Sequence, residues 1–164
     1  LARRERARES ASGIVAYDAL ADLSRACFAV HGRVYLVEDL HRVLELLETV
    51  GPGMSPGLTP DPVGEVVELP SSGDAFDPRL SPDGSSVAYV SGSSLRITGA
   101  GGDRRLVGGS TRSVSWGSAE FIAAEEMGRS RGHWWSPDGG RLLVTRVDTR
   151  CGSVWVASLS LICS

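Results

Sequence analysis

The sequence predicts an all-β protein made of consecutive β-propeller blades, a partial propeller, and three observations predict it. Among 164 residues there are 20 Gly and 8 Pro, above average usage and suited to a turn-rich architecture. From Phe76 onward, short apolar runs alternate with clusters of turn residues, as short strands do. The tetrapeptide Ser-Pro-Asp-Gly occurs twice, opening at Ser81 and at Ser136, and each copy leads into an apolar run. A repeat of roughly 40–55 residues with several short strands per unit marks propeller blades. A sandwich would show similar strands, but not the same tetrapeptide at the same place in each unit.

Taken in order, residues 1–12 form a polar arm in which Arg and Glu alternate, the pattern of a solvated segment rather than a basic arm for anionic partners. Blades are expected over 13–148. Apolar runs at 13–17, 26–30 and 34–37 read as strands, with His31-Gly32 as the tight turn between the last two. Residues 37–50 carry two patterns. Val37, Leu40, Val43, Leu44, Leu47 and Val50 fit helical spacing, while 43–47 reads as a buried strand. The β surroundings set the expectation at a strand. Residues 51–64 hold Pro52, Pro56, Pro60 and Pro62, which remove donors and fix φ, so the segment is an insertion inside one domain. Strands resume at 65–69.

The regular part then opens at Phe76. After the first Ser-Pro-Asp-Gly turn, strands are expected at 87–90, 95–98 and 105–107, with turns at 91–94 and 99–102. After the second turn, strands are expected at 142–144 and 154–156. The turn chemistry accounts for the repeat. Proline presets φ at the first central position, aspartate bonds the backbone two residues on, and glycine accepts the positive φ that reverses the chain.

Charge and cysteine usage exclude several function classes. A net charge of -3, from 17 basic and 20 acidic residues, gives no footprint for nucleic acid. Cys27, Cys151 and Cys163 are an odd number without close spacing, and are expected to be inert packing thiols rather than a disulfide framework or zinc site. His31, His41 and His133 are scattered without ligand spacing, so neither a metal nor a cofactor is expected. No apolar run reaches the ~18 residues of a membrane helix and no signal-peptide core is present. No membrane partner is therefore expected, and a cytoplasmic location is the expectation, in a chain that opens on Leu1 rather than Met.

Two motifs then compete for chemistry. Gly128-Arg129-Ser130-Arg131-Gly132 matches G-x-S-x-G, but a nucleophile elbow follows a buried strand and opens a helix. Here the motif follows an acidic segment and runs into Trp134-Trp135, so Ser130 is not read as a nucleophile and no catalytic residue is expected. Glu125-Glu126 is the stronger candidate. Adjacent side chains on a strand face opposite ways. The preceding Ala-Glu-Phe-Ile-Ala-Ala run is rich in helix formers, and a helical turn would aim both carboxylates into one cavity. Two close carboxylates repel unless a cation lies between them, and a protonated α-amino group with three donors suits them. A solvated acidic surface pair is the plain alternative.

The run A-E-F-I-A-A-E-E-M-G-R-S-R-G-H-W-W-S-P-D-G, with Arg146-Val147-Asp148 downstream, resembles the N-terminal β-propeller of dipeptidyl peptidase IV-like enzymes of the prolyl oligopeptidase family. The likeness is specific over 76–148 and looser over 13–69. It implies a propeller stacked on an α/β-hydrolase domain, with Glu125 and Glu126 at the positions that anchor the free N-terminus of a peptide substrate. Dipeptides would then be released by a serine, aspartate and histidine of the hydrolase domain, which has no counterpart in this sequence. The family also implies a homodimer for the full-length protein. Residues 149–164 depart from the family's continuation, as a truncation or a shifted reading frame would make them. The expected role is substrate recognition without catalysis. A non-enzymatic propeller that binds protein or ligand is the alternative, and an inactive fragment is a third reading. Trp134 and Trp135 are expected to pack between blades rather than stack on a ligand.

Overall fold

A computed structural model describes residues 13, 14, 16–49, 64–109, 113–119, 123, 124, 126, 128, 129, 131–150 and 153–161. The polar arm and the four prolines of the insertion lie outside them. Strands dominate, arranged as three four-stranded antiparallel sheets in chain order. The first is β1 (Ala16–Ala19), β2 (Arg25–Val30), β3 (Arg33–Glu38) and β4 (Val66–Leu69). The second is β5 (Ala75–Leu80), β6 (Ser86–Ser91), β7 (Ser94–Gly99) and β8 (Arg104–Val107). The third contains β9 (Val114–Trp116), β10 (His133–Trp135), β11 (Arg141–Asp148) and β12 (Ser153–Ser160). In each of the first two sheets the strands pair in chain order, the connection between β3 and β4 being the long one. The three sheets are blades of a partial β-propeller.

The middle blade shows why the blades stack. In β6, Val87 and Tyr89 pack with Cys27 and Val34 of the first blade, while Ala88 and Val90 pack with Leu142 and Val144 of the third. Successive side chains on a strand point to opposite faces, so a strand covered on both faces needs an unbroken apolar run. Val87-Ala88-Tyr89-Val90 is that run, and all four residues are buried. Leu95 and Leu142 are fully buried in the second seam. Replacing either by alanine in such packing costs about 3 kcal/mol.

The two Ser-Pro-Asp-Gly turns have the same internal bonding. Ser81 O accepts from Gly84 N (2.8 Å), and Ser136 O accepts from Gly139 N (2.9 Å). Both glycines have φ of 69°, a left-handed value that a Cβ would oppose. Asp83 Oδ1 accepts from Ser85 N (3.1 Å), and Asp138 Oδ1 accepts from Gly140 N (3.0 Å). In each turn the first serine hydroxyl also donates to the aspartate. The first turn also joins neighbouring blades, since Gly84 O accepts from Arg25 Nη1 of the first blade (3.0 Å).

Residues 40–49 overturn the strand expectation, because the segment is a helix, α1 (Leu40–Thr49). The ladder explains why. β3 pairs with β2 on one edge and with β4 on the other, so 43–47 has no free edge to join. The leucines, glutamates and arginine of the segment then follow their helical propensity. His31-Gly32 forms the expected turn, with φ of 50° and 74°, the paired positive values of a type I′ hairpin. The run 154–156 lies inside β12, which pairs with β11 from Arg141↔Ser160 to Asp148↔Ser153.

Candidate functional site

The third blade departs from chain-order pairing where the acidic pair lies. Its first strand is split: β9 pairs with Arg146–Asp148 of β11 and β10 pairs with residues 142–144 of the same edge. Between them the chain leaves the sheet at Gly117 and returns at Gly132. Thr145 of β11 closes the gap. Its carbonyl accepts from Gly117 N (3.0 Å), and its amide donates to Gly132 O (2.9 Å). Its hydroxyl lies 2.7 Å from Ser118 O and 3.1 Å from Gly132 O, and donates there. A bridge between Ser118 and Arg131 completes the neck. A Cβ on Gly132 would lie 2.4 Å from the Ser118 carbonyl carbon and 2.5 Å from Thr145 Oγ1, so the neck closes only around glycine.

The excursion carries the sequence's candidate residues. Glu126 is exposed, and Glu125 lies outside the described residues. Nearby, Arg129 N donates to Ala123 O (2.9 Å), and Ala123 is buried. The expected meeting of two carboxylates therefore rests on the sequence. Ser130 also lies outside the described residues. Gly132 leads into strand β10 rather than a helix, which removes the context a nucleophile elbow needs.

Trp135 packs in the seam between the second and third blades, and its Nε1–H donates to Arg79 O of the second blade (3.0 Å). Trp134 is partly buried and faces the Arg131 guanidinium at 5.9 Å. Of the cysteines, Cys27 is described; it is a buried free thiol pushed up to about 12 by burial, with the Asp18 charge adding to it. A thiol held protonated is a poor nucleophile. Among the described residues no group of three or more His, Cys, Asp or Glu could hold a metal ion, and no helix is long and apolar enough to cross a membrane.

Sequence reasoning missed a row of polar groups, two of them buried, at the base of the excursion. It runs along the first strands of the three blades through Asp18, Arg79, Asp77 and His133. Arg79 Nη1 lies 3.7 Å from Asp18 Oδ1, and its Nη2 donates to Asp77 Oδ1. Asp77 Oδ2 lies 3.9 Å from His133 Nδ1. Asp77 is 2% exposed and His133 0%. His133 Nδ1 is also 2.9 Å from Gly117 O. A carbonyl only accepts, so Nδ1 carries the proton. Burial lowers the His133 pKa from its ordinary 6.5 against the opposing pull of Asp77, which leaves the ring neutral at pH 7. Asp77 sits in a bulge of β5, between Phe76 and Arg79, with φ of 48°. Aspartate tolerates that conformation, and proline in a strand marks such a bulge. Asp77-Pro78 was the signal in the sequence.

Three stacked antiparallel blades, the third with its first strand split in two, define the class: a partial β-propeller. The profile of the dipeptidyl peptidase IV (DPP IV) N-terminal region matches residues 34–152. The chain belongs to that family. Among solved structures it is similar to Porphyromonas gingivalis dipeptidyl peptidase 4, with 21% identity and a TM-score of 0.48 over 88% of this chain and 20% of that one. It is also similar to a protein assigned as TolB from Agrobacterium tumefaciens, with 14% identity and a TM-score of 0.42 over 93% of this chain and 63% of that one. The chain thus spans about a fifth of the length of the first and less than two thirds of the second.

Proposed function

We propose that this chain is the substrate-recognition portion of a dipeptidyl peptidase IV-like serine peptidase, in which Glu125 and Glu126 hold the ammonium of a peptide N-terminus. The observation that supports the reading most is the split first strand of the third blade, since the acidic stretch lies between its two halves in the chain. An exposed Glu126 on that excursion is open to a cation. A carboxylate–ammonium contact is charge-assisted and stronger than a neutral hydrogen bond. The bond-breaking step, a Ser-His-Asp acyl transfer, belongs in this proposal to an α/β-hydrolase domain that covers the propeller.

The test is binding of an Xaa-Pro tripeptide with a free amine against its N-acetylated form, measured by titration calorimetry. The free amine binds more tightly, by about tenfold or more, as loss of a charged hydrogen bond of about 1.5–3 kcal/mol implies. Glu126→Gln removes most of that preference. Equal binding of the two peptides by the unmodified chain would rule out the ammonium anchor.

A further inference from the structure

We propose that His133 is a positioning residue for the acidic excursion, closing from the seam between blades the neck at Gly117 and Gly132 between which that stretch lies. Its functional consequence rests on the ammonium-anchor reading, while its structural part stands separately. The neck contacts made by Thr145 lie within the third blade. His133 differs in its place, because its ring lies in the seam, where Asp77 of the second blade stands 3.9 Å from Nδ1, beyond hydrogen-bond reach. Its Nδ1–H donates to Gly117 O, where the excursion departs. His133 is itself the first residue of β10, where the excursion has returned. One side chain therefore holds together both ends of a long loop.

The ring is held in turn. Asp77 stands beside Nδ1 from the bulge of β5, and Arg79 fixes Asp77 while reaching toward Asp18 of the first blade. Arg131, on the excursion itself, donates from Nε to His133 O (2.8 Å). The neck is thus held by its own blade, and the ring is packed against charged groups of the second. A hydrogen bond between fully buried groups is costly to leave unmade, and the ring has no solvent to turn toward.

The experiment compares three variants of the full chain by amide hydrogen exchange. His133→Asn places an amide nitrogen where Nδ1 stands and keeps the donor to Gly117 O. His133→Gln places its amide nitrogen at the Nε2 position, and His133→Leu has none; both lose that donor. Exchange at the Arg129 amide, bonded to Ala123 O inside the excursion, is expected to rise about tenfold in the Gln and Leu variants. In the Asn variant it stays near the unmodified chain, and free-amine peptide affinity follows the same order. If the Leu variant does not fold, the Asn and Gln pair carries the comparison. Unchanged exchange in the Gln and Leu variants, or an Asn variant that behaves like Gln, would overturn the assignment. Glu126→Gln separates the two readings. Full peptide affinity in that variant removes the anchor and leaves the exchange result to decide on His133.

Discussion

Asp83 and His133 show at the scale of single residues how the environment turns a common side chain into a pH-dependent part. The Ser81 hydroxyl, the Ser85 amide and the Ser85 hydroxyl all donate to Asp83 and lower its pKa from 3.8 to about 2. The folded state thus holds this proton less tightly than the unfolded chain. Its contribution is complete above about pH 4 and is lost as pH falls toward 2. His133, lowered from 6.5 by burial, acts in the same direction at higher pH. The unfolded imidazole takes a proton below pH 6.5 while the folded one resists it, so stability falls as pH drops below that value. Denaturant midpoints measured between pH 8 and pH 3 should decline in two stages. His133→Asn should remove the upper stage, and Asp83→Asn should shrink the lower one, to which Asp148, Asp138 and Asp22 also contribute. A midpoint that is flat between pH 6.5 and 5 in the unmodified chain would refute the histidine's part.

At the scale of elements, the split strand of the third blade depends on Gly132 and Thr145. Gly132→Ala pushes a Cβ into the Ser118 carbonyl and Thr145 Oγ1, and backbone cannot yield as a flexible side chain can. The excursion should open while the sheets survive, because β11 keeps its full ladder with β12. Hydrogen exchange should show faster amides at Gly117 and Thr145 with little change in β6 and β7. Loss of protection throughout the molecule would mean that the neck also holds the blade. Leu142→Ala makes the contrasting case. It empties the seam between the second and third blades and should lower stability by about 3 kcal/mol, leaving the neck's own hydrogen bonds in place.

At the scale of the whole molecule, the three blades present one apolar face at each end of the stack. On the first blade, Tyr17, Phe28 and Tyr35 lie across neighbouring strands on the face opposite Cys27 and Val34. Tyr17 is 72% exposed, and the Phe28 and Tyr35 rings stack at 5.2 Å. On the third blade, Leu143, Val154 and Val156 lie opposite Leu142 and Val144 and are exposed. Exposed apolar surface of this kind binds partners or promotes association. The isolated chain should therefore enhance the fluorescence of an apolar dye and sediment more heavily as its concentration rises. Leu143→Lys with Val156→Lys should reduce both, and a chain that stays monomeric and dye-silent would contradict the open faces. In the proposed division of labour, the chain should also fail to hydrolyse a Gly-Pro chromogenic substrate. Turnover above a buffer blank that co-purifies with the chain would place the chemistry here after all.

The strand pattern, the paired turns and the family likeness were legible in the sequence because each is written in neighbouring residues. Ser-Pro-Asp-Gly determines its own turn, and Val87-Ala88-Tyr89-Val90 announces a strand with two covered faces. The sequence also singled out Glu125 and Glu126 by adjacency. Other features depended on partners far along the chain. Residues 40–49 carry both periodicities, and only the occupation of both edges of β3 made them a helix. Asp18, Arg79, Asp77 and His133 come side by side from three blades. No local spacing encodes this, since burial and proximity between distant strands exist only once the sheets have stacked. Local chemistry determined the strands and turns; tertiary pairing decided the helix at 40–49, and stacking decided which groups meet at the neck.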